Sequence, residues 1–535
     1  MSNEILNERA VTYGAKNKWE INASTNDRAS AGYFGRINYD YKGIYLLELN
    51  GRYDGSSRFP AGDKWAFFPS GSIGYRFSQE AYWDKLRETV SNGKLRFSYG
   101  EIGNENVGSS WPYIATIGTI SAGYVGWLNG SNAKVNEFDL PEWVSSSLTW
   151  ERIKTIDVGL DLGLLNDMVT VGFDWYQRTT NDMIAPGKAL PPSVGASTPT
   201  TNSGSLRTRG WELTINWRKQ FTNDLGLYAN FSIGDSKSVV TKWDNDQNIG
   251  HPLNTAYAYA GQVWGDIWGF ETDRYFTEAD FTGKNADGSW IYAPGVADQT
   301  GIQTQTFVYG PGDIKFKDLD GSGVIDGGKG TVDDHGDLKV IGNCLPRYEY
   351  SFHIGGTYKG FDLDLFFQGV GKRDMWTQSS FVFPEMREAD LAIYANQTSY
   401  NIYEPEKGIV NISESNAFPC LYPGNEYAGN VTGLAGEGGC HNYYPQTKYL
   451  VDMSYLRLKN VTLGYTLPVE LTKKAFVQKL RFYVSCNNLF LLHKGSGDLP
   501  IDPEMNAGQG ALGYGTWGRT YPTTKSWSFG LQVTF

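Results

Sequence analysis

The stretch Ile44-Tyr-Leu-Leu-Glu-Leu-Asn-Gly-Arg-Tyr-Asp54 places Tyr45, Leu47, Leu49, Gly51 and Tyr53 at one parity and Glu48, Asn50, Arg52 and Asp54 at the other. Side chains alternate across a strand with period 2, so this segment reads as a strand with one greasy and one charged face. The same split recurs at Val169, Val171, Phe173, Trp175 against Thr170, Gly172, Asp174, and at Trp211, Leu213, Ile215, Trp217 against Glu212, Thr214, Asn216, Arg218. It returns at Phe361, Leu363, Leu365, Phe367 against Asp362, Asp364, Gln368, and at Trp527, Phe529, Leu531, Val533, Phe535 against Ser528, Gln532, Thr534.

A soluble sheet with one wet face alternates in the same way, so strand length and connections must separate the two cases. A membrane-crossing strand needs about 9–11 residues, whereas soluble strands usually run about 5–6. These segments run long. Their connections alternate: 42–43, 165–167, 220–224, 359–360 and 468–478 are short and 78–92 is intermediate, short only relative to the loop that follows it, while 55–64 is longer and 102–152, 180–207, 238–346, 372–454 and 491–524 are long. Short turns at one end and long loops at the other describe an outer-membrane barrel. The reading is therefore all-β: a transmembrane antiparallel β-barrel wall of about 13–14 long strands, filling residues 1–535 as one unit. With the long loops outside, Phe535 ends in the periplasm.

Composition fits. Aromatics make up 15% of the chain, with 34 Tyr and 17 Trp, which suits the two interfacial girdles of a barrel and also a Tyr-rich soluble lectin. A mean hydropathy of −0.41 without a long apolar run excludes a helical membrane protein, since only a barrel spans a bilayer with so polar an average. The net charge of −11 argues against nucleic acid as a partner. Cys344, Cys420, Cys440 and Cys486 are too few for a disulfide scaffold. Cys420 and Cys440 share one long loop, as a clip or as two thiols; Cys486 shares a face with Phe482 and Val484 and reads as a small apolar side chain. Met1-Ser-Asn-Glu4 opens no apolar signal region, so the signal was removed or the chain is the later part of a longer one. Single-chain bacterial barrels have an even strand number, and about thirteen strands favour the second reading unless Val11 to Ala23 adds one more.

The runs Gly35-Arg-Ile-Asn-Tyr-Asp-Tyr-Lys-Gly43, Asn50-Gly-Arg-Tyr-Asp-Gly-Ser-Ser-Arg-Phe-Pro60 and Phe67-Phe-Pro-Ser70 resemble the SusC/RagA family of TonB-dependent outer-membrane transporters. Further matches run to the end of the chain, among them Leu95-Arg-Phe-Ser-Tyr-Gly100, Gly159-Leu-Asp-Leu-Gly163, Gly312-Asp-Ile-Lys-Phe-Lys-Asp-Leu-Asp-Gly321, Tyr455-Leu-Arg-Leu-Lys-Asn-Val-Thr-Leu-Gly-Tyr465 and Asn488-Leu-Phe490. The resemblance implies a 22-stranded barrel in the Gram-negative outer membrane, a preceding plug domain with a TonB box, and a SusD-like surface lipoprotein as a lid. Nothing in the chain resembles the plug. It therefore looks like the C-terminal barrel portion of an importer of oligosaccharides or peptides, whose remaining strands and plug lie elsewhere and through which TonB would act.

Asp318-Leu-Asp-Gly-Ser-Gly-Val-Ile-Asp326 is the sharpest local motif. Asp318, Asp320, Ser322, the Val324 carbonyl and Asp326 fall on positions 1, 3, 5, 7 and 9 of a calcium loop, with Gly323 at 6. Position 12 is Lys329 rather than Glu, and Asp333 or Asp334 would have to supply the missing carboxylate. The competing reading is an acidic solvated turn. No other cofactor is required. The five histidines have no zinc spacing and no serine sits in a nucleophile elbow, so no covalent chemistry is expected. Arg36, Glu48, Arg52 and Arg218 fall on the lumen parity as candidate substrate contacts or solvated wall. Trp111, Trp127, Trp143, Trp264, Trp268 and Trp376 lie in long loops, as carbohydrate-stacking platforms or as loop core. Two alternatives remain: a soluble cell-surface glycan-binding β-protein, and a small porin closed by these strands alone.

Overall fold

A computed structural model gives the structure of residues 27–107, 111–117, 119–120, 137–138, 143–145, 147–188, 190–194, 198–244, 248–249, 258–286, 288–303, 307–376, 382–383, 395–421, 441–504 and 523–535. Thirteen strands form one sheet in which every neighbour in sequence is the neighbour in space. They are β1 (Ser30–Tyr41), β2 (Tyr45–Ser56), β3 (Trp65–Tyr75), β4 (Val90–Asn104), β5 (Glu151–Leu164), β6 (Val169–Pro186) and β7 (Thr200–Gln220). Then follow β8 (Leu225–Lys242), β9 (Arg347–Tyr358), β10 (Phe361–Lys372), β11 (Tyr455–Thr466), β12 (Lys479–Lys494) and β13 (Ser526–Thr534). All pairings are antiparallel. Among the described residues no pairing joins β1 to β13, so this up-and-down wall is open along both edges. Val11 to Ala23, the candidate extra strand, lies outside the described residues.

Turn chemistry fixes the register. A two-residue hairpin turn whose twist matches the strands needs positive φ at both central residues. Lys42 and Gly43 supply 58° and 65°, and Lys359 and Gly360 supply 46° and 85°. The Asp40 carboxylate accepts the Gly43 N–H at 2.7 Å and locks the first of these turns. Two longer connections at the same end are folded: 3-10 turns cover Phe77–Gln79 and Ala81–Leu86, and a short helix covers Val469–Thr472.

The connection expected over 180–207 is much shorter than its sequence pattern implied. β6 runs on to Pro186 and β7 starts at Thr200, because the ladder continues past an irregularity between Thr180 and Met183. The other long connections, 105–150, 243–346, 373–454 and 495–525, keep nearly the expected bounds.

The greasy rows do not pack against a second sheet. Tyr45, Leu49, Tyr53, Leu363, Leu463, Phe529 and Leu531 are all exposed, Phe529 to 83%. Every member of the largest buried apolar cluster lies instead in the connections: Ile249 to Cys344 in the first, Met375 to Met453 in the second, and Ile501 in the third. Three long loops thus fuse into one body with an aromatic core, in which Phe270 stacks on Phe316 at 4.9 Å and Tyr443 packs on Phe383 at 4.5 Å.

Candidate functional site

The polar parity of the sheet carries a series of hydrogen-bonded and ion-paired clusters. Arg36 donates to Asn50 at 2.6 Å and lies 3.8 Å from Glu48, while Arg52 pairs with Asp54 at 3.0 Å. Arg36, Glu48 and Asn50 are therefore one group on β1 and β2, with the Arg52–Asp54 pair next to it along β2. Arg218 stands apart from it, on β7 opposite Tyr228, near the short-turn end. Sequence reasoning missed the wall's more strongly bound centres. Arg96 on β4 bridges Asp161 on β5 and Asp174 on β6, each at 2.8 Å. Asp364 on β10 accepts from His353 Nε2 at 2.6 Å and from the Tyr228 hydroxyl, and Arg481 on β12 donates to Asp362 at 2.8 Å. Parity alone marks each of these residues as inward; only the register shows which meet.

The opposite parity records where hydrocarbon would end. On β5 the outward row runs Leu164, Leu162, Leu160, Val158, Ile156 and then Lys154; on β4 it runs Leu95, Phe97, Tyr99 and then Glu101. Glu101 meets Arg152 at 3.3 Å and Lys154 at 3.5 Å. The same row on β7 passes Trp217, Ile215, Leu213 and Trp211 before Arg209. Charged or polar groups replace greasy ones on every strand from β4 to β8, the change moving one outward position toward the short turns between β5 and β6 and again between β7 and β8, as tilted strands crossing a level headgroup interface require.

In the loop body, Asp318 accepts the Gly321 and Gly323 N–H groups at 2.7 and 2.9 Å, and Asp320 accepts the Ser322 N–H at 2.8 Å. The Ser322 hydroxyl donates to the Val324 carbonyl at 2.9 Å, and Asp326 accepts the Gly328 N–H at 2.7 Å. The Ser322 N–H holds Asp320 below the ordinary aspartate value. Position 12, Lys329, turns to Asp334 at 2.9 Å. Among the described residues neither expected substitute joins the carboxylate cluster, and nor does Asp326, whose carboxylate turns to the Gly328 N–H; Asp337 does. Its carboxylate lies with those of Asp318 and Asp320, all within 4.8 Å of one another. Asp337 is fully buried, and burial pushes its pKa up against the pull of the Leu319 and Asp326 N–H groups it accepts. No local spacing rule reaches a residue so far beyond Asp326.

Two of the loop tryptophans are core. Trp268 donates to Tyr259 at 3.2 Å and Trp376 is 5% exposed. Trp111 and Trp143 are exposed, and Trp127 lies outside the described residues. Cys420 is buried and its thiol faces the Pro311 carbonyl; Cys440 lies outside the described residues. Cys486 is 1% exposed, as its small apolar reading implies.

Comparison with known proteins agrees with this geometry. The chain is 28% identical over 527 residues to TonB-dependent receptor P3 of Formosa agariphila, covering 95% of this chain and 46% of that protein. It is 26% identical to TonB-dependent receptor SusC of Bacteroides thetaiotaomicron, covering 94% and 43% respectively. The chain thus spans about half the length of the curated relatives it matches. The fold superposes on a chain of the RagAB peptide transporter with a TM-score of 0.67 at 20% identity, over 98% of this chain and 50% of that one. A family model described as "TonB dependent receptor-like, beta-barrel" matches residues 6–326, more than half of the chain, and the protein belongs to that family of outer-membrane β-barrels.

Proposed function

We propose that this chain is the C-terminal wall of a TonB-dependent importer that carries oligosaccharides or peptides across the Gram-negative outer membrane. The observation that carries the reading is the division of labour across one sheet: exposed greasy rows outside, a paired polar wall inside, and a fused loop body at one end. Charged residues are tolerated on a lumen face and there tune selectivity. Arg36, Glu48, Arg52 and Arg218 act as polar wall that a hydrated substrate passes. The long connections lie on the extracellular side, where a SusD-like lipoprotein caps them, and TonB supplies energy through a plug contributed from outside this sheet. The wall performs no covalent chemistry.

The test is uptake by cells in which the gene bearing this chain is deleted. Loss of labelled oligosaccharide or peptide entry, together with co-purification of a surface lipoprotein with the intact protein, is the expected result. Undiminished entry of both substrate classes overturns the reading.

The loop at Asp318 to Asp326 is proposed to hold a structural Ca²⁺. Asp318, Asp320 and Asp337 supply carboxylates, while Ser322 and the Val324 carbonyl are near enough in sequence to complete an oxygen set. Calcium is expected to slow proteolysis of the 243–346 connection in the intact protein, and Asp320→Asn should remove that protection. Because Asp320 is exposed, the variant tests the ion without disturbing the core. Equal cleavage with calcium and with chelator would leave the acidic turn as the correct description.

A further inference from the structure

Arg209 on β7 stands directly opposite Lys237 on β8, and Arg207 follows two positions along the same outward row. Like charges directly opposite one another destabilise a sheet unless something else neutralises them. Asp235 binds Arg347, and Glu101 binds Arg152 and Lys154; Asp266, which accepts from Asn343 at 2.9 Å, also attracts Lys237, so of these three cations Arg207 and Arg209 are, among the described residues, those without an acid partner. Arg209 meets the neutral amide of Gln177 at 2.7 Å. Arg209 and Lys237 are exposed and Arg207 is partly so.

Their height on the wall is informative. One register step nearer the short turns, Trp175 pairs with Trp211 across β6 and β7 on the same outward face. Along β7 the outward row carries Trp217, Ile215, Leu213 and Trp211 between Lys219 and Arg209. These two cations are ten positions apart (219 − 209). At a rise of about 3.3 Å per residue they span about 33 Å along the strand, or about 25 Å in height at a tilt near 40°. That equals the apolar band of an outer-membrane barrel, so Arg209 and Lys237 sit where lipid phosphates lie. Arg pairs with phosphate in bidentate fashion and Lys as a point charge.

We propose that Arg207, Arg209 and Lys237 form a site for the phosphate groups of a membrane lipid in the leaflet at the long-connection end, with Trp175 and Trp211 flanking its acyl region. The proposal rests on the chain lying in a bilayer. It goes beyond import, because the site faces away from the lumen.

The test uses the intact protein extracted from native outer membranes in mild detergent, with bound phospholipid and phosphorylated glycolipid counted by native mass spectrometry. The protein should retain at least one phosphorylated lipid. The triple variant Arg207→Gln, Arg209→Gln, Lys237→Gln should retain about tenfold less or lower still, since removing one charge-assisted hydrogen bond to phosphate weakens binding by about a factor of ten. Lys219→Gln, at the opposite edge of the band, should retain it fully. Each variant must keep the heat-dependent gel mobility of a folded barrel; if the triple variant misfolds, Arg209→Gln alone serves. Equal lipid retention by the triple variant overturns the site, and so does displacement of the lipid by millimolar inorganic phosphate. Recovery of the protein in the soluble fraction would instead sink the membrane reading on which the site depends.

Discussion

At Asp280 a single carboxylate shows how the loop body is held. It is 3% exposed, and burial alone would push its pKa up. The Arg274 guanidinium, at 2.6 and 2.7 Å, and the Thr277 N–H and hydroxyl outweigh that cost and hold it well below the usual aspartate range. A group whose folded pKa is depressed stabilises the fold above the unfolded value of about 3.9 and loses that contribution as pH falls toward the folded value. The loop body should therefore weaken below about pH 4, followed by the fluorescence of the buried Trp268 and Trp376. Asp280→Asn should cost about 2 kcal/mol at neutral pH, as expected for charge-assisted hydrogen bonds to a partly exposed partner, and flatten that acid transition. A variant with an unchanged acid limb would show that Asp280 is not the responsible group. Individual residues were legible in sequence only as far as local rules reach. Parity placed Arg36, Glu48, Arg52 and Arg218 on the inner face, and the calcium spacing picked out Asp318 and Asp320. It could not find Asp337, or that Arg96 joins three strands, because those meetings depend on register and on a chain that folds back.

At the scale of elements, the period-2 pattern found all thirteen strands, because a strand with one face in lipid and one in water must alternate along its whole crossing. Strand ends were less legible. β6 and β7 continue beyond the membrane band, where neither face needs to be apolar, so the alternation fades while the ladder persists to Pro186 and Thr200. Loop core was foreseen only as one reading of tryptophans such as Trp268 and Trp376; the fusion of the loops was not, because the aromatic core draws on three connections far apart in sequence and no periodicity records such packing. Hairpins, by contrast, are written in two residues. At Gly360, with φ at 85°, an added Cβ would approach the Thr466 carbonyl to 2.7 Å. Gly360→Val should therefore cost about 1–3 kcal/mol and slow closure of the β9–β10 hairpin. Folding of the intact protein into lipid vesicles, followed by gel mobility across a urea series, measures both. An unshifted midpoint would mean that the turn relaxes freely.

For the whole molecule, the decisive question is which solvent bathes the outward rows. Leu463 on β11 sits opposite Leu363 and is 46% exposed, while its neighbour Thr462 faces inward and bonds Ser485 at 2.9 Å. In water an exposed leucine is an ordinary surface residue, and Leu463→Arg would change stability by less than about 0.5 kcal/mol. In hydrocarbon the same substitution near mid-band costs about 2–4 kcal/mol. The inward control behaves oppositely: Thr462→Arg places a charge on the polar wall beside Asp362 and Asp364, where a barrel tolerates it. The expected outcome for the intact protein in bilayers is therefore a large loss at 463 and a small one at 462, read from urea unfolding followed by gel mobility. Two small losses would put water on both faces and return the sheet to the soluble class. The open edges of β1 and β13 sharpen the contrast, since unpaired backbone groups cost several kcal/mol each in lipid and almost nothing in water. In a bilayer both edges must therefore be covered, and the 463–462 comparison is made in the intact protein in bilayers so that the outward row, not an exposed edge, decides the outcome.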